Sequence, residues 1–387
     1  MKVVVSAQDL KRALNTCNEI APVSSTIAEE KTGVMIKAVD KRLLFMSSDE
    51  SSFVSVEVLP LKIEETGEAL VRCGAVAAAV AASFEDTNFD GTPNLIKLET
   101  TDKGTLKVSG ANIVREGKSR PVFRNFPLLN VGFFIENPVF EPEKATQFPS
   151  FQFMDGLSKV GHAASKDAAK QTFNCINLTL TDDEVVFAAT DGIQIAEFRR
   201  AAEVKGLRGS FILGLKFASV AARLVNPGKF DFVDIYVQDD YFFLKSGGTV
   251  LVGTLLNTKF PDYSNYMRTV GLKNAVFPRE DFLSVLQGMQ PTVDAKSHRL
   301  VLEAHKAGSA TLSTSSVSGE AISSGLDVAT PEDFSLHFDS TLLQNSIRQL
   351  KGEDFSLFFT QDAKGVLLKS EKDDDFKAFV CTLKKVD

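Results

Sequence analysis

Three stretches of this chain share one pattern: MKVVVSAQDLKRALNTC from Met1, FQFMDGLSKVGHAA from Phe151 and NAVFPREDFLSVLQGM from Asn274. Each runs from a short apolar strand through a polar or small hinge into a helix whose Leu and Phe recur three and four residues apart. The arrangement returns later in each third of the chain, as EALVRCGAVAAAVAASF from Glu68, SFILGLKFASVAARLV from Ser210 and FSLHFDSTLLQNSIRQL from Phe334. Alternating, β-rich sequence follows each helix, as in NLTLTDDEVVFAATDGIQIAEF from Asn177 and DIYVQDDYFFLKSGGTVLVGTLL from Asp234. Asp-Asp, Asp-Gly and Gly-Gly stand where hairpin turns are needed. The reading is six β-α-β-β-β units. In pairs they make three similar α+β domains, residues 1–130, 148–268 and 269–387, with residues 131–147 as a linker carrying Pro138 and Pro142.

Each unit places one helix on one face of a sheet. If successive domains continue one another, all helices lie on one side and all sheets on the other. Three such domains describe an arc with unmatched ends, and such an arc closes through an identical copy. The expectation is a head-to-tail homodimeric ring, helices inside and sheets outside.

Composition sets the outer bounds. The 387 residues are 44% hydrophobic and 24% charged, which excludes a disordered chain. No apolar run reaches the ~18 residues of a spanning helix, and the first residues turn amphipathic at once, so a cytoplasmic protein without membrane contact is expected. Cys17, Cys73, Cys175 and Cys381 are scattered without CxxC spacing and read as reduced, buried thiols. The net charge of −7 excludes a chain basic all over but not a local basic face.

The charge is segregated. Helices taken as residues 6–19, 72–84, 153–170, 214–226, 278–290 and 338–351 hold eleven basic and seven acidic residues, a net of +4 against −11 elsewhere. The candidates for an inner, phosphate-facing lining are Lys11, Arg12, Arg72, Lys159, Lys166, Lys170, Lys216, Arg223, Arg348 and Lys351. Contacts of that kind to double-stranded DNA are independent of sequence and sensitive to salt.

Signatures of catalysis are missing, and no enzyme, cofactor or metal is expected. There is no GxGxxG after a strand and no HExxH. In GSFILGLKF, from Gly209, Lys216 comes one residue late for a phosphate loop and Phe217 replaces the Ser or Thr. His162, His298, His305 and His337 have no metal-ligand spacing. Asp191 and Asp262 read as turn formers, not as an acid pair.

At ATDGIQIA (Ala189–Ala196), KFPDY (Lys259–Tyr263) and FPLL (from Phe126) the chain resembles the bacterial sliding clamp, the β subunit of DNA polymerase III. Divergence outside these strings implies a phage-encoded or remote member, in the host cytoplasm if phage-encoded. The resemblance implies the DNA-clamp fold, and three domains per chain fit the dimeric type of clamp. It implies a processivity factor that encircles duplex DNA and binds the replicative polymerase and clamp loader. A clamp-fold scaffold for another DNA process, such as phage late transcription, is the alternative.

Carried over residue by residue, the family's partner-peptide pocket falls on Thr190, Gly192, Ile193, Ile195, Pro261, Tyr266, Leu342, Val380, Thr382 and Leu383. The dimer contact falls near Ile113 and Val114 at one end and Leu286 and Met289 at the other. The chain departs from the family at Ile193-Gln194, where His-Arg is usual, at Asn265, usually basic, and in its ending TLKKVD. A changed peptide preference follows from these departures.

Overall fold

The β-α-β-β-β order read from the sequence occurs six times in the computed structural model, which describes all residues except 22–32, 89, 115–117, 203, 270, 295–296, 316–320, 360–363, 371 and 385–387. The first copy is β1 (Lys2–Ser6), α1 (Ala7–Ile20), β2 (Gly33–Val39), β3 (Arg42–Ser48) and β4 (Ser52–Val58). An additional strand, β5 (Lys62–Glu65), precedes the second copy: β6 (Gly67–Arg72), α2 (Cys73–Ser83), β7 (Leu95–Thr101), β8 (Thr105–Val114) and β9 (Lys118–Pro127). The third is β10 (Thr146–Pro149), α3 (Ser150–Val160), β11 (Cys175–Leu180), β12 (Glu184–Thr190) and β13 (Gln194–Ala201). The fourth is β14 (Gly209–Gly214), α4 (Leu215–Leu224), β15 (Phe232–Gln238), β16 (Tyr241–Ser246) and β17 (Thr249–Thr254). The fifth is β18 (Lys273–Pro278), α5 (Arg279–Met289), β19 (Arg299–His305), β20 (Ser309–Ser315) and β21 (Ala321–Asp327). The sixth is β22 (Phe334–Asp339), α6 (Ser340–Gln349), β23 (Asp354–Phe359), β24 (Gly365–Lys369) and β25 (Phe376–Cys381).

Local chemistry explains two of the strand-to-helix hinges. Ser6 caps α1 by accepting the Asp9 amide at 3.1 Å, and Asp339 caps α6 by accepting those of Thr341 and Leu342. Leu10, Ala13, Leu14, Cys17 and Ile20 then form the buried stripe of α1. The helix expected over 153–170 is shorter. It ends at Val160, a 3-10 turn covers Gly161–Ala163, and Lys166 and Lys170 lie in exposed turns. The reason is polar competition: Ser165 and Asp167 side chains accept the amides of Asp167 and Ala169, and Asn174 donates to the Ser165 carbonyl at 2.6 Å.

The chain forms two compact units, Met1–Phe151 with Val220–Leu255 and Gln152–Ser219 with Leu256–Asp387. The first holds a five-stranded sheet, β5-β1-β7-β8-β9, and an eight-stranded one, β10-β15-β16-β17-β4-β3-β2-β6. The second holds an eight-stranded sheet, β14-β11-β12-β13-β25-β24-β23-β18, and a four-stranded one, β21-β20-β19-β22. Two rules generate this order. Neighbouring copies exchange first strands: β1 pairs β7 while β6 pairs β2, β10 pairs β15 while β14 pairs β11, and β18 pairs β23 while β22 pairs β19. Last strands then join distant copies, β17 to β4 and β13 to β25, both antiparallel. The cores lie between these sheets and the helices, with Phe45, Phe84, Phe153, Phe187, Phe282 and Phe355 among the fully buried side chains.

Candidate partner site and cationic positions

The turn in ATDGIQIA is built by its own side chains. Asp191 Oδ1 accepts the amides of Ile193 and Gln194 at 2.9 and 3.0 Å, and Oδ2 accepts the Gln194 side-chain amide at 2.8 Å. Thr190 Oγ1 accepts the Gly192 amide at 3.1 Å and donates to the Gln194 carbonyl at 2.6 Å. Gly192 takes φ +97°, where a Cβ is strained. The expected pocket residues Thr190 and Gly192 thus shape the turn, while Ile193 projects into solvent with 52% exposure. The Ile193 carbonyl accepts the Cys381 amide at 2.9 Å, which fixes the end of β25 beside the turn.

A row of apolar side chains crosses the sheet from there. Pairing sets Ile195 opposite Phe379, Phe379 opposite Leu367, and Leu367 opposite Phe358. Ile195, Leu367 and Met267 form a buried cluster with Tyr263, Phe358 and Phe379 packed against it. The FPDY segment crosses this face. Asp262 accepts the Ser264 amide and hydroxyl, bonds that hold its carboxyl below the usual range and confirm a turn former. Burial and the Glu197 carboxylate push the Tyr263 hydroxyl up. Tyr266 stands over Phe379, ring centroids 4.9 Å apart. Beside them opens a cleft of about 280 Å³ lined by Asn265, Tyr266, Arg268, Leu272, Phe358, Phe359, Lys364, Gly365, Leu367 and Phe379. Gly365 is required there, because a Cβ would meet the Phe379 ring at 2.2 Å.

Of the ten expected pocket positions, Tyr266 lines this cleft and the other nine are not among its lining residues. Val380 is fully buried, since β25 alternates with Phe376, Ala378 and Val380 inward, so Phe379 and Cys381 take the outward positions. Leu342 sits half-buried on α6 and does not line the cleft. Pro261 is half-buried in the FPDY turn. Thr382 and Leu383 are half-buried, tied by their amides to the carbonyls of Lys364 and His337 at 3.0 and 2.7 Å. Phe358, Leu367 and Phe379 are not legible as site residues in the sequence.

The cationic positions divide. Lys159 is 4% exposed, donates to Asp373 at 2.9 Å and lies 5.4 Å from the ring centroids of Phe198 and Phe376. It is a core residue and not a phosphate contact. Lys11 pairs with Asp86, Arg12 with Asp9, Arg223 with Glu19 and Lys351 with Asp155. Arg72 precedes α2 and Lys216 lies at the start of α4, while Arg348 is exposed on α6 and Lys166 and Lys170 are exposed in their turns. With the observed bounds, Lys11, Arg12, Lys159, Lys216, Arg223, Arg279 and Arg348 face Asp9, Glu19, Asp155, Glu280 and Asp281, so the helices carry a net of +2 and not +4.

Leu286 and Met289, expected at a dimer contact, are each 1% exposed and belong to the core beneath α5. Ile113 and Val114 lie on β8 opposite Ser119 and Lys118 of β9; their side chains fall outside the described residues. Among the described residues no group of three or more His, Cys, Asp or Glu side chains could hold a metal ion, and no helix is long and apolar enough to cross a membrane.

Six strand-exchanged units whose last strands join distant copies define the architecture of a clamp. It is that of solved DNA polymerase III β subunits: the one from Thermotoga maritima superposes with a TM-score of 0.87 at 15% identity, and that from Caulobacter crescentus with 0.83 at 19%, each covering 100% of both chains. Residues 147–262 match the family described as DNA polymerase III beta subunit, central domain. The beta sliding clamp of Chlamydia muridarum is 21% identical over 300 residues, covering 77% of this chain and 76% of that one. The beta sliding clamp of Rickettsia bellii is 22% identical over 292 residues, covering 74% and 72%. Together these findings show that the chain has the sliding-clamp fold and is similar in sequence to bacterial sliding clamps.

Proposed function

We propose that the chain is a processivity factor of three domains, residues 1–130, 148–268 and 269–387, two copies of which close head to tail around duplex DNA. The observation that carries this is the pairing of last strands. The first copy of one domain joins the second copy of the next, β4 to β17 and β13 to β25. Continued, the rule asks β21 of the fifth copy to join β9 of the second, yet each ends its own sheet. Another chain supplies the missing partner at each end, so two copies pair every last strand. Unpaired edge strands of this length invite such pairing, and β9 also exposes Phe123 at 61%. The interface therefore lies at β9 and β21 and not at Leu286 and Met289.

Closure makes tight DNA binding unnecessary. Lys166, Lys170, Lys216 and Arg348 serve as weak phosphate contacts that permit sliding. The Tyr266–Phe379 cleft holds an extended peptide of the polymerase, and of the clamp loader, by one or two apolar anchors. Tethering raises the polymerase's effective concentration at the primer end. No bond is made or broken by the chain itself.

Light scattering tests the assembly. Twice the 42.1 kDa chain mass is expected at micromolar concentration. A monomer at all concentrations, or a trimer, would overturn the closure rule.

A further inference from the structure

The partner cleft of the second unit has a counterpart in the first, and the counterpart is shut. Residues Ser48 to Phe53 repeat three amide-to-side-chain bonds of Thr190 to Ile195. Ser48 Oγ accepts the Glu50 amide at 3.0 Å, as Thr190 accepts that of Gly192. Asp49 Oδ1 accepts the amides of Ser51 and Ser52 at 3.1 and 2.7 Å, as Asp191 accepts those of Ile193 and Gln194. Glu50 takes φ +74° where Gly192 takes +97°. The apolar row repeats in register: Phe53 faces Val252, Val252 faces Phe243, and Phe243 faces Tyr236.

What differs is the cover. In the second unit Tyr266 leaves a cleft of about 280 Å³. In the first, the linker lies on the row. Phe140 and Ala145 pack against the cluster of Phe53, Tyr236, Phe243 and Val252, and Phe140 meets Tyr236 edge-on at 5.2 Å. The Tyr236 hydroxyl holds the linker backbone on both sides of Phe140, accepting the Glu141 amide at 3.0 Å and donating to the Val139 carbonyl at 3.3 Å. Asn137 donates its side-chain amide to the Val54 carbonyl of β4 at 2.7 Å. An aromatic anchor flanked by main-chain hydrogen bonds is how an extended peptide ligand sits on a groove.

We propose that the β4–β17 junction is a second peptide-binding site whose occupant is the chain's own segment Asn137–Lys144, NPVFEPEK. A separate peptide of the same chemistry, an aromatic anchor followed by carboxylates, enters only when this strap is displaced. The strap is tethered, so its effective concentration is on the order of millimolar and excludes a free peptide at micromolar concentration. The chain thereby presents one open site, not two. The inference rests on the repeat geometry and on the proposed reading of the second unit's cleft as a partner site, and its test reads Val252 and Val54 of the first unit apart from that cleft.

The test is methyl NMR of the full chain titrated with the capped synthetic octapeptide NPVFEPEK. In Phe140→Ala, the methyls of Val252 and Val54 shift saturably, while the unsubstituted chain at the same peptide concentration shows no shift there. Replacing the peptide's Phe by Ala weakens binding about thirtyfold or more. Tyr236→Phe keeps the apolar row but removes both strap bonds, and gives the same shifts at higher peptide concentration even if Phe140→Ala folds poorly. Three results overturn the proposal: no shift at Val252 and Val54 in either variant, equal shifts in the unsubstituted chain, or shifts confined to Val366 and Leu367.

Discussion

Replacing Lys159 by Met separates a core role from a DNA-binding role. The ammonium lies 2.9 Å from Asp373 Oδ2, with 5% and 7% of the two side chains exposed, beside two Phe rings. Removing one partner of a buried ion pair leaves the other charged and desolvated, which destabilises by about 3–5 kcal/mol. Asp373 keeps the Asp375 amide at 3.1 Å, and Met fills the space between the rings, so the lower end applies. The expected loss is about 3 kcal/mol, roughly 150-fold in the folding equilibrium. The double variant Lys159→Met with Asp373→Leu should recover to within about 1 kcal/mol of the original, since an apolar pair replaces the ions without an orphaned charge. Urea denaturation followed by circular dichroism measures both. DNA association at low salt should be unchanged in the folded double variant. A single variant within about 0.5 kcal/mol of the original, or a folded double variant with weakened DNA association, would refute the core assignment.

Further outcomes follow from the same structure. Desolvation holds the His162 pKa below 6.5, opposed by its 2.8 Å contact with the Lys159 carbonyl. The unfolded chain therefore takes up this proton first, so stability is full above about pH 6.5 and declines as pH falls toward the folded pKa. Melting temperatures of His162→Gln should fall less over that window than those of the original chain. Burial raises the thiol of Cys73 to about 12 and that of Cys175 to about 11, and raises Cys17 as well. A thiol reagent at pH 8 should therefore modify half-buried Cys381 first and the other three only in denaturant; rapid loss of several thiols would contradict this. Asp191→Ala removes three hydrogen bonds from the TDG turn. It should lower urea stability by about 1–2 kcal/mol and weaken capture of the polymerase's C-terminal peptide.

The sixfold repeat was legible because each copy switches from an apolar strand through a hinge to a helical period, a local signal. The exchange of first strands was not, since pairing β1 with β7 or β6 with β2 leaves no mark on either strand's own alternation. The helix over 153–170 was overextended because SKDAAK is rich in helix formers; Ser165, Asp167 and Asn174 redirect the backbone instead. Lys159 looked like any surface lysine, and its partner Asp373 is distant in sequence. In β25, Ala378, Phe379 and Val380 are all apolar, so alternation could not tell which side faces the cleft. The match between Ser48–Phe53 and Thr190–Ile195 lay in plain sight, but only the bonds show that an Asp and a left-handed residue do the same work in both. The cleft itself depends on how Tyr266 packs on Phe379, which no local pattern in the sequence encodes.

Retention on circular against linear DNA tests enclosure most directly. Labelled chain is incubated with a singly nicked plasmid, a bacterial clamp loader and ATP, then passed over a sizing column at about 0.5 M salt, where phosphate contacts alone are lost. Half of the sample is cut once with a restriction enzyme beforehand. A closed ring remains with the circle and is lost from the linear molecule. Equal retention on both, or loss from both, would contradict a clamp that holds DNA by encircling it.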